Sequence, residues 1–154
     1  MERTQTIKYE ECRLEELNSS DRALMDEAIA ATGSAYAPYS NFKVGAAVRL
    51  DDGTIVRGSN QENVAYPSGL CAERTVLFAA SAQHSGHAVE ALAIVARNPQ
   101  EALVGAMPCG ACRQVMAEQE GKQGKRMRVI CYVSADKILI FEGIESLLPF
   151  VFTM

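Results

Sequence analysis

No apolar run in this 154-residue sequence is long enough to cross a bilayer. The N-terminus, MERTQTIKYEEC, is charged and lacks the apolar region of a secretory signal. Both features are expected of a cytoplasmic protein with no membrane partner. In a reducing compartment disulfides are rare. The five cysteines are therefore read as metal ligands, catalytic groups or small core residues. Positive charge is scarce as well: 15 Lys and Arg stand against 19 Asp and Glu, a net charge of −4. Tight nucleic-acid binders carry a basic face. The one dense basic stretch, GKQGKRMR from Gly121 to Arg128, reads as a solvated turn before a strand, so a small neutral partner fits better than a nucleic acid. There is no internal repeat, low-complexity tract or Pro/Ser-rich linker. The length suits one domain over 1–154, with residues 1–17 as an N-terminal arm that carries no usable motif.

What is present reads as alternating helices and strands. DRALMDEAIAAT, Asp21 to about Thr32, places Leu24, Ala28 and Ala31 on one stripe, with Ser20 as N-cap and Gly33 as stop. KVGAAVRL alternates as a strand, DDG turns, and TIVRGSN returns as the second arm of a hairpin. LCAERTVLFAASA is rich in helix formers, and CGACRQVMAEQ reads as another helix. ALAIVA and RVICYV are short, continuous apolar runs, the pattern of central strands covered on both faces. KILIFEG adds a strand and IESLLPF a short final helix. The fold class is α/β: a mixed sheet of about five strands with helices packed on its faces.

The chemistry concentrates at two helix starts. Cys71 opens the helix in GLCAERT, and Cys109 opens the one in PCGACRQ, with Cys112 a turn later on the same face. A helix N-terminus favours thiolate over thiol, and three thiolates from adjacent helix starts suit Zn²⁺. A structural zinc site closes with four protein ligands, whereas a catalytic one leaves a position open. His84 and His87 read as a polar loop, Cys12 lies in the acidic arm, and Cys131 lies in the apolar VICYV strand. The count stays at three. Glu73, two residues after Cys71, is then placed to exchange protons with a zinc-activated water rather than to bind the metal. Three thiolates leave excess negative charge on the ion. Arg74 can offset it by hydrogen bonding a ligand sulfur. Arg113 is a second candidate for that role, with a surface ion pair as its equal alternative.

CAE with a later PCGAC resembles the zinc-dependent cytidine deaminases that act on free nucleosides, a signature described for base deaminases generally. With cysteine as first ligand it is similar to the small homotetrameric branch. APYSNFKVGAAV, GSNQENVAYPSGLCAERT, PCGACRQVM and LLPFVF follow in family order from Ala37 to Phe152. The resemblance implies a cytidine deaminase-like three-layer sandwich. It implies one Zn²⁺ per subunit on Cys71, Cys109 and Cys112, with Glu73 as proton shuttle and Arg74 supporting the ligands. It also implies substrate contacts at Phe42, Asn60, Glu62, Tyr66, Ala72 and Phe152. Asn60 and Glu62 would hold ribose hydroxyls and Phe42 would wall the pyrimidine. Tyr66 would reach a neighbouring subunit's site, and Phe152 would cap the base, often across an interface. Phe150 replaces a residue that is usually small, so either phenylalanine is a candidate cap.

The implied reaction is hydrolytic deamination of cytidine and deoxycytidine in pyrimidine salvage, with sites near the subunit interfaces of a homotetramer. Backbone carbonyls near Cys71 or Pro108 are candidates to orient the leaving amino group. Three other readings stand beside it. One is a non-catalytic zinc module with a fourth ligand from Cys12, Cys131 or a histidine. Another is a deaminase of nucleic acid or of a nucleoside antibiotic. The last is a redox CxxC, which explains neither Cys71 nor Glu73.

Overall fold

The hairpin and the two apolar runs do form one sheet in the computed structural model, which describes residues 1–154. The strands are β1 (Glu10–Cys12), β2 (Lys43–Leu50), β3 (Ile55–Ser59), β4 (Val89–Arg97), β5 (Leu103–Val104), β6 (Arg128–Ser134) and β7 (Lys137–Phe141). The helices are α1 (Ser19–Ala31), α2 (Ala72–Gln83) and α3 (Gly110–Gln123). Strand order is β1-β7-β6-β4-β2-β3, with β5 beside β4. β4 and β6 run parallel, joined through α3, and every other pair is antiparallel. The α/β class and the mixed sheet agree with the sequence reading.

Side-chain alternation divides each central strand between two cores. Leu92 and Ile94 of β4 join Val76, Leu77 and Met116 on the α2/α3 side. Ala91, Ala93 and Val95 of the same strand join Leu24, Met25 and Ala28 of α1 on the other side. That two-sided burial makes the middle of the strand, Ala91–Ala96, apolar at every position, with Glu90 and Arg97 at its ends. The layers are therefore α1, sheet, and α2 with α3. Two glycines let the helices approach. A Cβ on Gly45 would lie 2.1 Å from the Ala28 carbonyl oxygen, and one on Gly58 would lie 2.7 Å from the Val76 backbone. The second contact seats α2, whose first turn carries Cys71 and Glu73.

Several elements depart from expectation. The N-cap of α1 is Asn18, whose side chain accepts the Asp21 N–H at 2.9 Å; Ser20 lies inside the helix. Gly33 does not stop α1 directly but sits in a 3-10 turn over Thr32–Ser34. The final helix shrinks to a 3-10 turn, Ile144–Ser146. Two strands were not foreseen, β1 and β5. The N-terminal arm gains a role through β1, which pairs with the edge of β7. Leu14 and Leu17 pack onto the α1-side core, and Tyr9 lies 5.9 Å from Phe141, ring to ring. The arm thus extends the sheet at β7 and packs there on both faces, since Phe141 belongs to the α2/α3-side core.

The basic stretch is only in part the expected turn: Gly121–Gln123 end α3, Gly124 caps it at φ 63°, 124–127 form the turn, and Arg128 opens β6. Arg128 at its end turns inward to the buried Asp21, donating from Nε at 3.0 Å. No helix is long and apolar enough to cross a membrane.

Candidate metal centre and substrate cleft

Both cysteine-bearing helices start the same way. Cys71 is the N-cap of α2 and Cys109 the N-cap of α3, each in extended backbone with no side chain capping the helix. Their thiols project from the ends where unpaired N–H groups concentrate positive potential. Cys71 Sγ lies 3.9 Å from Cys109 Sγ, and Cys109 Sγ lies 3.5 Å from Cys112 Sγ. All three sulfurs fall within 4.8 Å of one another. Tetrahedral zinc with Zn–S near 2.3 Å places its sulfurs about 3.8 Å apart. The donor set and its spacing fit that ion.

No fourth ligand joins the cluster. Cys131 is fully buried in β6, and burial pushes its thiol up to about 12. Cys12 sits on β1 at the sheet edge, packed with the α1-side core. His87 pairs through Nδ1 with Asp51 at 2.8 Å, and His84 is the C-cap of α2, so both lie at the end of α2 remote from Cys71. The four-ligand alternative therefore lacks its fourth residue.

The charge pattern is that of a metal site. Cys71 falls to about 5, chiefly because the Cys112 thiol donates to it and Arg74 adds a second hydrogen bond. Cys112 is correspondingly raised beside that thiolate. Arg74 donates from Nη2 to Cys71 Sγ at 3.5 Å, the interaction expected of it. Its Nε is buried and has no partner. Glu73 is 4% exposed, and burial raises its carboxyl to about 7, against a hydrogen bond from its own backbone N–H. A bound dication acts in the opposite direction. A carboxyl poised near neutrality is equipped to take up and release a proton.

A cleft of about 670 Å³ opens over this centre. Phe42, Asn60, Glu62 and Tyr66 line it together with Cys71, Glu73, Arg74 and Cys109. Asn60 and Glu62 also hold the chain locally. Asn60 Oδ1 accepts the Val44 N–H at 2.8 Å, and its Nδ2 donates to the Phe42 carbonyl at 2.9 Å. Glu62 accepts the Tyr39 N–H at 2.9 Å and the Ser40 hydroxyl, which holds its carboxyl below the usual range. Together they fix the loop that presents Phe42.

Two expected contacts lie outside this chain's cleft. Ala72 is fully buried in the core. Phe152 is 71% exposed and Phe150 87%, and neither lines the cleft. The leaving-group carbonyls are already engaged as well. Cys71 O accepts Thr75 N at 3.0 Å and Thr75 Oγ1 at 3.1 Å, and Pro108 O accepts Arg113 Nε at 2.8 Å. Arg113 bonds neither a sulfur nor a carboxylate, so both readings of it are corrected. Tyr39, Ser40 and Met107 line the cleft without having been anticipated; for Ser40 the signal was its place two residues before Phe42.

Comparison with known proteins agrees with this geometry. The family described as the cytidine and deoxycytidylate deaminase zinc-binding region matches residues 18–131. A cytidine deaminase of Halalkalibacterium halodurans is 50% identical over 95 residues, covering 62% of this chain and 68% of that protein. One from Mycobacterium tuberculosis is 43% identical over 100 residues, covering 65% and 71%. The crystal structure of a cytidine deaminase from Burkholderia pseudomallei superposes with a TM-score of 0.72 at 40% identity, covering 84% of this chain and 97% of that one.

Proposed function

The chain belongs to the zinc-binding cytidine deaminases, and from that premise we propose that Glu73 is the proton shuttle of a hydrolytic deamination centred on Cys71, Cys109 and Cys112. The reaction is zinc-dependent deamination of cytidine to uridine with release of ammonia; deoxycytidine is the proposed second substrate. The observation that carries the assignment of Glu73 is its position. It is a buried carboxylate in the first turn of α2, two residues from the Cys71 ligand, lining the cleft without being part of the sulfur cluster.

Zinc would be held by Cys71, Cys109 and Cys112 and would supply a Lewis acid that makes water nucleophilic near neutral pH. Glu73 takes a proton from the attacking water and delivers it to the pyrimidine N3, which renders C4 electrophilic. It takes the second proton after attack on C4 and gives it to the departing amino group, so one water is consumed for each ammonia released. Arg74, hydrogen-bonded to Cys71 Sγ, offsets the charge of the thiolates and so maintains the electrophilicity of the centre.

Phe42 walls the base, held there by Asn60 and Glu62. Asn60 uses one acceptor and one donor position on the protein, which leaves one of each for the sugar hydroxyls. Tyr66, 73% exposed and edge-on to Tyr39 at 5.7 Å between ring centroids, and Phe152 are proposed to act across interfaces of a homotetramer. Ala72, with its side chain buried, contributes through its backbone. The proposed setting is cytoplasmic pyrimidine salvage, with a free nucleoside as partner rather than nucleic acid.

A substrate panel followed by ultraviolet absorbance, on zinc-replete and chelated protein, tests this reading. Turnover of free cytidine that disappears on chelation and returns with zinc is expected. Turnover that survives chelation overturns it.

A further inference from the structure

Arg113 follows Cys112 on the first turn of α3 and spans two backbone carbonyls. Its Nε donates to Pro108 O at 2.8 Å, and its Nη1 donates to Leu147 O at 2.8 Å. Pro108 immediately precedes the ligand Cys109. Proline has no N–H, so its carbonyl is the one backbone polar group through which that residue is held. The carbonyl shares a rigid plane with the Cys109 nitrogen. A grip on the oxygen fixes the plane from which the Cys109 side chain departs. Gln114, the next residue, grips the same C-terminal segment further on. Its Nε2 donates to Phe152 O at 3.1 Å and its Oε1 accepts the Phe152 N–H at 3.4 Å.

The three ligands are not equally supported. Cys112 is fully buried, and Cys71 is half-buried and hydrogen-bonded by Arg74. Cys109 is exposed, is the N-cap of a helix that no side chain caps, and follows an irregular stretch, 105–108. Its sulfur has the least to hold it in place.

We infer that Arg113 is a positioning residue for the metal centre: it ties the Pro108–Cys109 peptide to the carbonyl of Leu147 and thereby holds Cys109 Sγ within zinc distance of its partners. The inference rests on the three-cysteine reading of the site and deepens it. The guanidinium suits the task because its Nε and Nη1 hydrogens point in different directions on a rigid plane. A lysine ammonium is a single point at the end of a flexible stem and cannot span both carbonyls in the same way. Leu147, itself only 6% exposed, supplies a fixed anchor. The C-terminal segment thus acts on the metal centre through the backbone of the ligand turn.

The test compares wild type, Arg113→Lys and Gln114→Leu, each loaded with one zinc. Release to a chromophoric chelator is followed by absorbance, with thermal unfolding measured on the same samples. Arg113→Lys is expected to weaken zinc retention about 10- to 100-fold while remaining folded. Gln114→Leu, which frees Phe152 and leaves the Arg113 bridge intact, is expected to hold zinc as the wild type does. Equal release from Arg113→Lys and wild type overturns the inference. So does equal loss in both variants, which would mark general loosening of the C-terminus, and so does an Arg113→Lys chain that fails to fold. A wild type that takes up no zinc removes the three-cysteine reading itself, an outcome distinct from the others.

Discussion

Cys71 Sγ and Cys109 Sγ, 38 residues apart in sequence, lie 3.9 Å from each other across the starts of two helices. That distance depends on the seating of both helices on one face of the sheet, and each of those supports can be tested separately.

The first prediction concerns the ligand count. Substituting Cys71, Cys109 or Cys112 by Ser is expected to abolish stoichiometric zinc in metal analysis. Cys12→Ser and Cys131→Ser are expected to keep one zinc per subunit, because neither lies in the sulfur cluster. Zinc loss in Cys131→Ser with the fold intact would restore a four-ligand reading.

The second concerns the seating of α2. Gly58→Ala places a Cβ 2.7 Å from the Val76 backbone, so β3 and α2 must separate. Overpacking of this kind costs about 1–3 kcal/mol, and turnover should fall with it as Cys71 and Glu73 shift. Gly33→Ala meets nothing within 4 Å and serves as the control. Chemical denaturation of the two variants should give unequal midpoints; equal midpoints would show that the close approach is not needed.

A third prediction concerns the Phe42 loop. Asn60→Ala leaves the Val44 N–H and the Phe42 carbonyl without the side-chain partner each now has. Loss of about 1–3 kcal/mol is expected, together with a raised KM for cytidine as Phe42 loses its support. Wild-type stability and KM in Asn60→Ala would contradict the role assigned to this side chain.

His87 and Asp51 supply a pH signature away from the centre. The hydrogen bond between them raises His87 and lowers Asp51. The pair therefore stabilises the fold fully where Asp51 is ionised and His87 protonated even in the unfolded chain, between about pH 4 and 6.5. That contribution fades as pH rises through the raised value of His87, and again as pH falls through the lowered value of Asp51. The stability difference between wild type and His87→Gln should be largest in that window and shrink above it. A difference that is flat with pH would exclude the charged pair.

What the sequence made legible follows from how local each signal is. β4 and β6 were readable because burial on both faces leaves no polar position in their middles, Ala91–Ala96 and Val129–Val133. The four residues of the centre were readable because Cys71 with Glu73, and Cys109 with Cys112, each sit within one helical turn. β1 was not readable: Glu10 and Glu11 carry no strand pattern, and their pairing is dictated by the free edge of β7. The N-cap was misplaced because Asn18, Ser19 and Ser20 are all capping residues, and only the bond to Asp21 N–H selects Asn18. Arg113 was misread for a related reason. Its partners are the carbonyls of Pro108 and Leu147, and every residue has a carbonyl, so no side-chain pattern marks them.

The central claim is that Glu73 moves the protons while the three cysteines hold the metal, and one comparison separates those roles. Zinc content and cytidine turnover are measured together on wild type and Glu73→Gln, which keeps the size of the side chain and removes its ionisable proton. The account predicts one zinc per subunit in both proteins, with turnover in the variant lower by a factor of at least about 10²–10⁴. A zinc-loaded Glu73→Gln chain that deaminates cytidine at the parental rate would contradict it.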